Sequence, residues 1–213
     1  MADIVTFRKF EERDIDFIFK CKNDERLNSL TVGQYHPFTY EEAVQWVRNC
    51  MKGDRSDLKF WAISTNDEEK RIIGWISLSD INQINKSACF HGIVIADPKY
   101  NDGMTWIESH LFIYHYGFEV LGLNRIWGSC IREQKSSLYT GIAMLNEYEG
   151  VARQAVYKNG CFHDVIYTSL LREDYLRNKE AGEYEFSKII RRIYKAKKEK
   201  GEKVVVIWNN QMK

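Results

Sequence analysis

Gly103 stands between an acidic residue and a bulky one where the sequence predicts the junction of a loop and a helix. Residues 96–126 read ADPKYNDGMTWIESHLFIYHYGFEVLGLNRI and predict a loop, an amphipathic helix and the start of a strand. This layout often holds a phosphate at the helix N-terminus. A phosphate cradle favours glycine and disfavours a carboxylate, yet Asp102 precedes Gly103 and Met104 follows it. The loop therefore predicts an anion site that departs from the usual glycine-rich form.

The composition limits which partners the chain can have. A chain of 213 residues with 44% hydrophobic content can bury one sizeable core, so we expect one main domain. Thirty-one Lys and Arg balance thirty Asp and Glu, leaving a formal charge of +1. Because these charges balance, the chain has no strong electrostatic field of one sign, and we expect neither a nucleic acid nor a membrane as partner.

The cysteines indicate the compartment. They are odd in number and scattered, without CxxC spacing: Cys21, Cys50, Cys89, Cys130 and Cys161. The first ten residues, MADIVTFRKF, lack the apolar stretch of a signal peptide, and no apolar run approaches the roughly 20 residues that span a bilayer. We therefore expect a reduced, cytoplasmic protein without a metal site.

The periodicities predict a strand, two helices, three strands, a helix, a strand, a helix and two strands. Thr39 and Glu42 form a capping-box pattern for the second helix, which should end at Gly53. Asn159 and Gly160 predict a tight hairpin between the last two strands. One further helix has an apolar stripe: Ile107, Leu111, Tyr114, Phe118 and Leu121. The fold class is α/β (α+β), a mixed central sheet with helices on both faces.

The segment 177–213 differs in composition from the region before it. It contains a basic helix with a narrow apolar face, formed by Phe186, Ile189, Ile190 and Ile193, and the string VVVIW, which could add an edge strand. We favour a packing extension over a functional arm, because basic helices are more often solvated faces than nucleic-acid or membrane contacts.

Several strings, in this order and spacing, resemble the GNAT superfamily of acyl-CoA-dependent N-acetyltransferases. The branch they resemble contains the ribosomal-protein alanine and the spermidine acetyltransferases. The strings are FRKFEERDIDFIF, IIGWISLSDINQINKSACF, GIVIADPKY, YGFEVLGLNRI and EGVARQAVYKNGCFHDVIYTSLLREDY. They cover most of residues 4–175, so the resemblance predicts a GNAT domain over residues 1–176.

The resemblance implies acetyl-CoA as co-substrate and suggests where it binds. The strand with Ile93, Val94 and Ile95 would pair with the pantetheine arm. The following loop and the helix N-terminus would hold the pyrophosphate, with these residues: Lys99, Gly103, Met104 and Thr105. The family's loop pattern, laid on without gaps, falls on Lys99, Asp102 and Met104, so both glycine positions are lost. Three interpretations stay open: a cap that tolerates these residues, a one-residue shift that uses Gly103, or a weakened site.

A second family motif lies after the fifth strand. By the resemblance, Ser137 would touch the cofactor, and Gly141 stands where the family has a tyrosine that protonates the leaving thiolate. Tyr139 lies two residues earlier, about 200° away around a helix. It is a candidate for the acid, and a packed aromatic residue is the alternative.

Four residues are candidates for binding the acceptor amine, and one residue is the candidate general base. His91 could take the proton of the attacking amine, with a core role as the alternative, whereas Cys89 is expected in the core. In this fold Tyr35 and His36 would line the acceptor side. Asp80 and Asn82 should lie near the same cleft, with ordinary turn chemistry as the alternative.

These observations predict an acetyl-CoA-dependent N-acetyltransferase acting on a primary amine. A peptide N-terminus, a polyamine and an amino sugar all fit as acceptor, and a homodimer is left open. The alternative is a non-catalytic GNAT-fold protein that binds another ligand or a protein partner, because both motifs depart from the family pattern.

Overall fold

The structure is a computed structural model that describes residues 4–29, 31–101 and 103–198, without the side chain of His91. Asp102 and the string VVVIW lie outside the described residues. The helices are α1 (Ile15–Lys22), α2 (Glu25–Asn28), α3 (Tyr40–Lys52), α4 (Met104–Tyr114), α5 (Lys135–Ala143), α6 (Arg172–Glu180) and α7 (Phe186–Lys198). The strands are β1 (Val5–Arg8), β2 (Lys59–Thr65), β3 (Ile72–Asn82), β4 (Ser87–Ile95), β5 (Arg125–Ile131), β6 (Glu147–Lys158) and β7 (Cys161–Leu171).

The described strands form one mixed sheet in the order β1-β2-β3-β4-β5-β7-β6. Only β4 and β5 run parallel, and the other neighbours are antiparallel. Successive side chains of each strand lie on opposite faces of the sheet, where they pack against two layers of helices. In β2, Ala62 joins the cluster beneath α1 and α3, and Ile63 joins the cluster that includes Ile107 of α4. The predicted mixed sheet with helices on both faces is confirmed.

Local signals set several element ends. The Thr39 hydroxyl accepts the N–H of Glu42, and the Glu42 carboxylate accepts the N–H of Thr39, which completes the capping box of α3. Gly53 ends α3 in the left-handed conformation, with φ of 57°. The hairpin turn has positive φ at both Asn159 and Gly160, as a tight two-residue loop requires.

Residues 177–198 pack on the main core. The expected boundary falls inside α6, and Ile189 of α7 is fully buried in the same cluster as Ile107. The Arg192 side chain donates to the carbonyl of Ala143 at the end of α5, at 2.8 Å. Helix α7 is therefore a structural part of the described molecule.

Candidate active site

Strands β4 and β5 are paired over only part of their length. Their parallel register covers three residue pairs and ends at Cys89 and Trp127, although the strands continue to Ile95 and Ile131. We call the opening between residues 90–95 and residues 128–131 the wedge. Because parallel strands end at the same edge, the wedge opens toward their carboxyl ends, where α/β proteins commonly bind ligands.

A bulge in β4 lies where this separation begins. On β3, Leu78 pairs with Phe90 and Ser77 pairs with Gly92, so residue 91 is an extra residue in β4. Gly92 has φ of 112°, a conformation that favours glycine. A bulge bends its strand and re-aims nearby groups, so it explains why β4 leaves β5 here.

The backbone of β4 presents hydrogen-bonding groups to the wedge. The N–H of Ala96 donates to Ile73 of β3 at 2.9 Å, so alternation turns the N–H groups of Ile93 and Ile95 toward the open side. Val94 faces β3 instead, and a Cβ on Gly74 would lie 2.0 Å from its carbonyl oxygen, which requires glycine there. The wedge therefore offers an unpaired strand edge to an extended ligand.

The loop after β4 leads to the N-terminus of α4 at the same edge. The Asp97 carboxylate accepts the N–H of Lys99 and forms an ion pair with Arg71 at 2.9 Å, while the Lys99 side chain is exposed. Gly103 precedes the helix with φ of 89°, and a Cβ there would meet nothing within 4 Å. Gly103 is therefore needed for its backbone conformation, which turns the chain into α4. Met104 and the buried Thr105 begin the helix, whose positive dipole end can face an anion.

Helix α5 begins near the same edge, because it follows β5 by a short turn. Ser137 and Tyr139 lie on it, both half-buried. Gly141 is buried, and a Cβ added there would meet nothing within 4 Å. There is thus open space beside the position where the resemblance places a tyrosine.

The loop between α2 and α3 contacts the tip of the β6–β7 hairpin. The hydroxyl of Tyr35 donates to the carbonyl of Asn23 at 3.3 Å, and His36 is exposed. Tyr35 also lines a cleft of about 590 Å³ with six other residues: Asp24, Glu25, Arg26, Ser29, Lys158 and Asn159. Of the four acceptor candidates, Tyr35 lines this cleft.

Lys158 links the α2–α3 loop to the β6–β7 hairpin, a role that the sequence did not predict. Its ammonium group donates to the carbonyls of Asn28, Thr31 and Gly33 at 2.9, 2.8 and 2.7 Å. The residue is 6% exposed, and burial lowers the pKa of its amine. The signal available in sequence was its place immediately before the Asn159 turn.

The family of the chain follows from comparison with known proteins. Residues 5–139 match the acetyltransferase (GNAT) domain family. The chain belongs to this family. Its members transfer acetyl groups from acetyl-CoA, so the protein is a GNAT acetyltransferase with acetyl-CoA as its acyl donor.

Individual relatives agree with the GNAT assignment. Spermidine N(1)-acetyltransferase of Vibrio cholerae is 26% identical over 182 residues, covering 84% of this chain and 100% of its own. A Bacillus subtilis protein named as a candidate ribosomal N-acetyltransferase, YdaF, is 28% identical, covering 80% of this chain and 93% of its own. The structure of the Vibrio cholerae spermidine N-acetyltransferase in complex with CoA and spermine has a TM-score of 0.71. It is 22% identical and covers 81% of this chain and 98% of that chain. This likeness establishes the fold.

The structure fits the donor that the GNAT family uses. Strand alternation directs the N–H groups of Ile93 and Ile95 toward the wedge, and α4 begins after the loop that follows β4. Together they match a ligand with an amide-bearing arm and a diphosphate.

Asp80 and Asn82 lie at the opposite end of β4 from the donor loop. Asn82 pairs with Ser87, the first residue of β4, whereas the donor loop follows the last residue. A nine-residue strand separates these ends by about 25 Å. The Asn82 side chain accepts the N–H groups of Ile84 and Asn85, and the hydroxyl of Ser79 donates to exposed Asp80. Both acidic and amide groups hold the β3–β4 turn.

Two buried groups near the wedge are unsuited to proton transfer at neutral pH. Cys89 is 6% exposed, as expected for a core residue, and burial raises the pKa of its thiol to about 11. His110 of α4 packs edge-on against Phe90, and burial lowers the pKa of its imidazole to about 4. The side chain of His91, the sequence candidate for the base, lies outside the described part of the chain.

No helix among residues 4–29, 31–101 and 103–198 is both long and apolar enough to cross a bilayer. Within the same ranges, no three His, Cys, Asp or Glu side chains converge in a way that could hold a metal ion.

Proposed function

We propose that the protein acetylates a primary amine, with a polyamine as the first acceptor to test. The observation that carries this proposal is the wedge, with the N–H groups of Ile93 and Ile95 on its open side and α4 starting at its mouth. An extended arm can add to β4 as a strand would, and a diphosphate fits the helix N-terminus. The thioester then lies near the bulge at residue 91.

The chemistry needs a polarised carbonyl, a neutral amine and a proton for the departing thiolate. Backbone N–H groups of β4 near the bulge would polarise the carbonyl. Tyr139 is our candidate for the group that protonates the thiolate, because it is half-buried on a helix that begins at the same sheet edge. His91 is our candidate for accepting the proton of the amine, directly or through a water.

In the cleft at Tyr35, the carboxylate of Glu25 is the group that would attract an ammonium group. The other carboxylate, Asp24, is paired with Arg26 at 3.2 Å, and Lys158 adds a second cation to the lining. The spermidine acetyltransferase relative also favours a polyamine, and the relative named for the ribosome favours a peptide N-terminus as second choice. The free cysteines support our proposal of a cytoplasmic location.

The test is a panel of acceptors assayed by release of free CoA from acetyl-CoA. We expect saturable turnover with spermidine, weaker turnover with an alanine-terminated peptide, and little with an amino sugar. Tyr139→Phe keeps the ring and should lower kcat by about tenfold or more, with CoA affinity unchanged. Ser136→Ala, on the exposed side of α5, is the matched control. If none of the amines in the panel is acetylated, the proposal is contradicted. If Tyr139→Phe has the kcat of the wild type, Tyr139 is not the group that protonates the thiolate.

A further inference from the structure

A second group of reactive side chains lies at the start of β7, outside the wedge. Cys161 and His163 are two residues apart on a strand and so project to the same face. The Sγ atom of Cys161 lies 3.2 Å from Nε2 of His163, and Nδ1 of His163 lies 3.2 Å from a carboxylate oxygen of Glu133. A nucleophile, a base and a group that orients the base are therefore aligned in series.

The contacts of His163 suit it to take the thiol proton. Because Glu133 can only accept, its contact favours the tautomer with hydrogen on Nδ1, in which the lone pair of Nε2 is available to Cys161. The carbonyl oxygen of Lys158 also lies 3.1 Å from Nε2. When Nε2 carries hydrogen, the carbonyl of Lys158 and the carboxylate of Glu133 each accept one N–H of the ring.

Cys161 differs from the other four cysteines. It is exposed, whereas Cys21, Cys89 and Cys130 are buried and Cys50 is half-buried. Burial raises the pKa of the thiols of Cys21 and Cys50 to about 12 and of Cys89 and Cys130 to about 11. Thiolate is the nucleophilic form, so these four are inert near neutrality and serve as internal controls.

The group lies at the edge of the sheet toward which the wedge opens. The pairing of β7 with β5 begins at Val165 and Ile131, so Cys161 and His163 extend beyond the carboxyl end of β5. Glu133 belongs to the turn between β5 and α5. The thiol is accessible because Cys161 is exposed, and the neighbouring residues Lys158 and Asn159 line the cleft of about 590 Å³.

We propose that Cys161 is an acylation site that takes an acyl group from an acyl-CoA thioester. The inference rests on the proposed function in that acetyl-CoA is the donor. The Cys161 sulfur forms a bond to the thioester carbonyl carbon as its proton passes to Nε2 of His163. The bond from that carbon to the CoA sulfur then breaks, and the proton leaves with CoA. One thioester replaces another, so no oxidant or reductant is needed and added CoA reverses the step.

The test incubates the full chain with acetyl-CoA, without an amine acceptor, and locates added acetyl groups by peptide mass spectrometry. We expect one acetyl group on Cys161, removed by excess CoA, and none on Cys130. His163→Gln should slow the labelling by at least about tenfold. Glu133→Gln, which acts through His163, should slow it less, and Glu133→Asp should restore part of the rate. Cys130→Ala is the matched control and should label as the wild type does.

A second donor separates this proposal from the proposed function. A small acetyl thioester without the nucleotide needs no CoA site, so it should label Cys161 with the same dependence on His163. If amine turnover is present but neither donor labels Cys161, the acylation site is wrong and the proposed function stands. If amine turnover is absent but the small thioester labels Cys161 through His163, the acylation site stands. Equal labelling in His163→Gln, or labelling of lysines alone, overturns the acylation site.

Discussion

The side chain of Glu119 forms hydrogen bonds with residues that are distant in the sequence. Its carboxylate accepts from the ammonium of Lys179 at 2.7 and 2.9 Å and from the hydroxyl of Tyr175 at 2.5 Å. The hydrogen bond from Lys179, followed by that from Tyr175, lowers the pKa of Glu119 to about 2. These bonds tie the π-helical segment His115–Val120 to α6.

The stability that Glu119 contributes should depend on pH. The folded pKa lies below the unfolded value of 4.5, so the contribution is complete above 4.5 and is lost as pH falls toward about 2. Glu119→Gln should therefore lower the thermal midpoint at about pH 7, and the gap to wild type should close as pH falls through this window. Thermal unfolding across pH measures it, with exposed Glu68→Gln as control. A gap that stays constant with pH would contradict this account.

At the scale of elements, the hairpin β6–β7 holds the α2–α3 loop through one buried ammonium group. Lys158 bonds to three carbonyls and to the hydroxyl of Thr31, and Gln34 adds a bond to the carbonyl of Tyr157. Hydrogen bonds from a charged donor contribute about 1.5 to 3 kcal/mol each. The loop that carries Tyr35 is therefore positioned by the hairpin.

Lys158→Met should loosen this loop without touching the donor site. We expect an acceptor KM raised by about tenfold and a loss of unfolding free energy of about 2 kcal/mol, because several carbonyls lose a charged donor. The dissociation constant of CoA should stay unchanged. Steady-state kinetics with spermidine and calorimetry with CoA measure the two effects, and exposed Lys20→Met is the control. An unchanged acceptor KM in a folded Lys158→Met variant would show that the loop does not position the amine.

Elements with local signals were predictable, and those fixed by distant contacts were not. The capping box at Thr39, the stop at Gly53 and the turn at Asn159 each act within a few residues, and the structure confirms them. Helix α2, a single turn capped by Asp24, was missed because it is too short to show a helical period. Helix α6 was missed, and residues 115–120 were predicted as a continuing α-helix and not as a π-helix, because Glu119, Tyr175 and Lys179 join these elements across about 60 residues of sequence. At the candidate site, the resemblance indicated residues 93–105, whereas the bulge and Lys158 depend on strand pairing that no local pattern specifies.

At the scale of the molecule, α7 completes the main core. Ile189 is fully buried there, whereas Tyr194 on the same helix is 69% exposed. Ile189→Ala should lower the free energy of unfolding by about 2 to 5 kcal/mol, and Tyr194→Ala by no more than about 0.5 kcal/mol. Urea unfolding measures both. Equal, small effects would mean that the segment after residue 176 is dispensable for stability.

CoA binding by the wedge and the N-terminus of α4 underlies the proposed acetyl transfer, and calorimetry with CoA measures it. Wild type should bind with a dissociation constant below about 100 μM, or about 5.5 kcal/mol. In Met104→Glu, the helix dipole stabilises the new carboxylate, but this negative charge lies near the diphosphate. The repulsion between the two is of order 1 kcal/mol or more. It should weaken binding by about tenfold at low salt and less at high salt, while Met104→Gln should bind nearly as wild type does. Equal affinities for all three proteins, or no binding at millimolar CoA, would contradict the account.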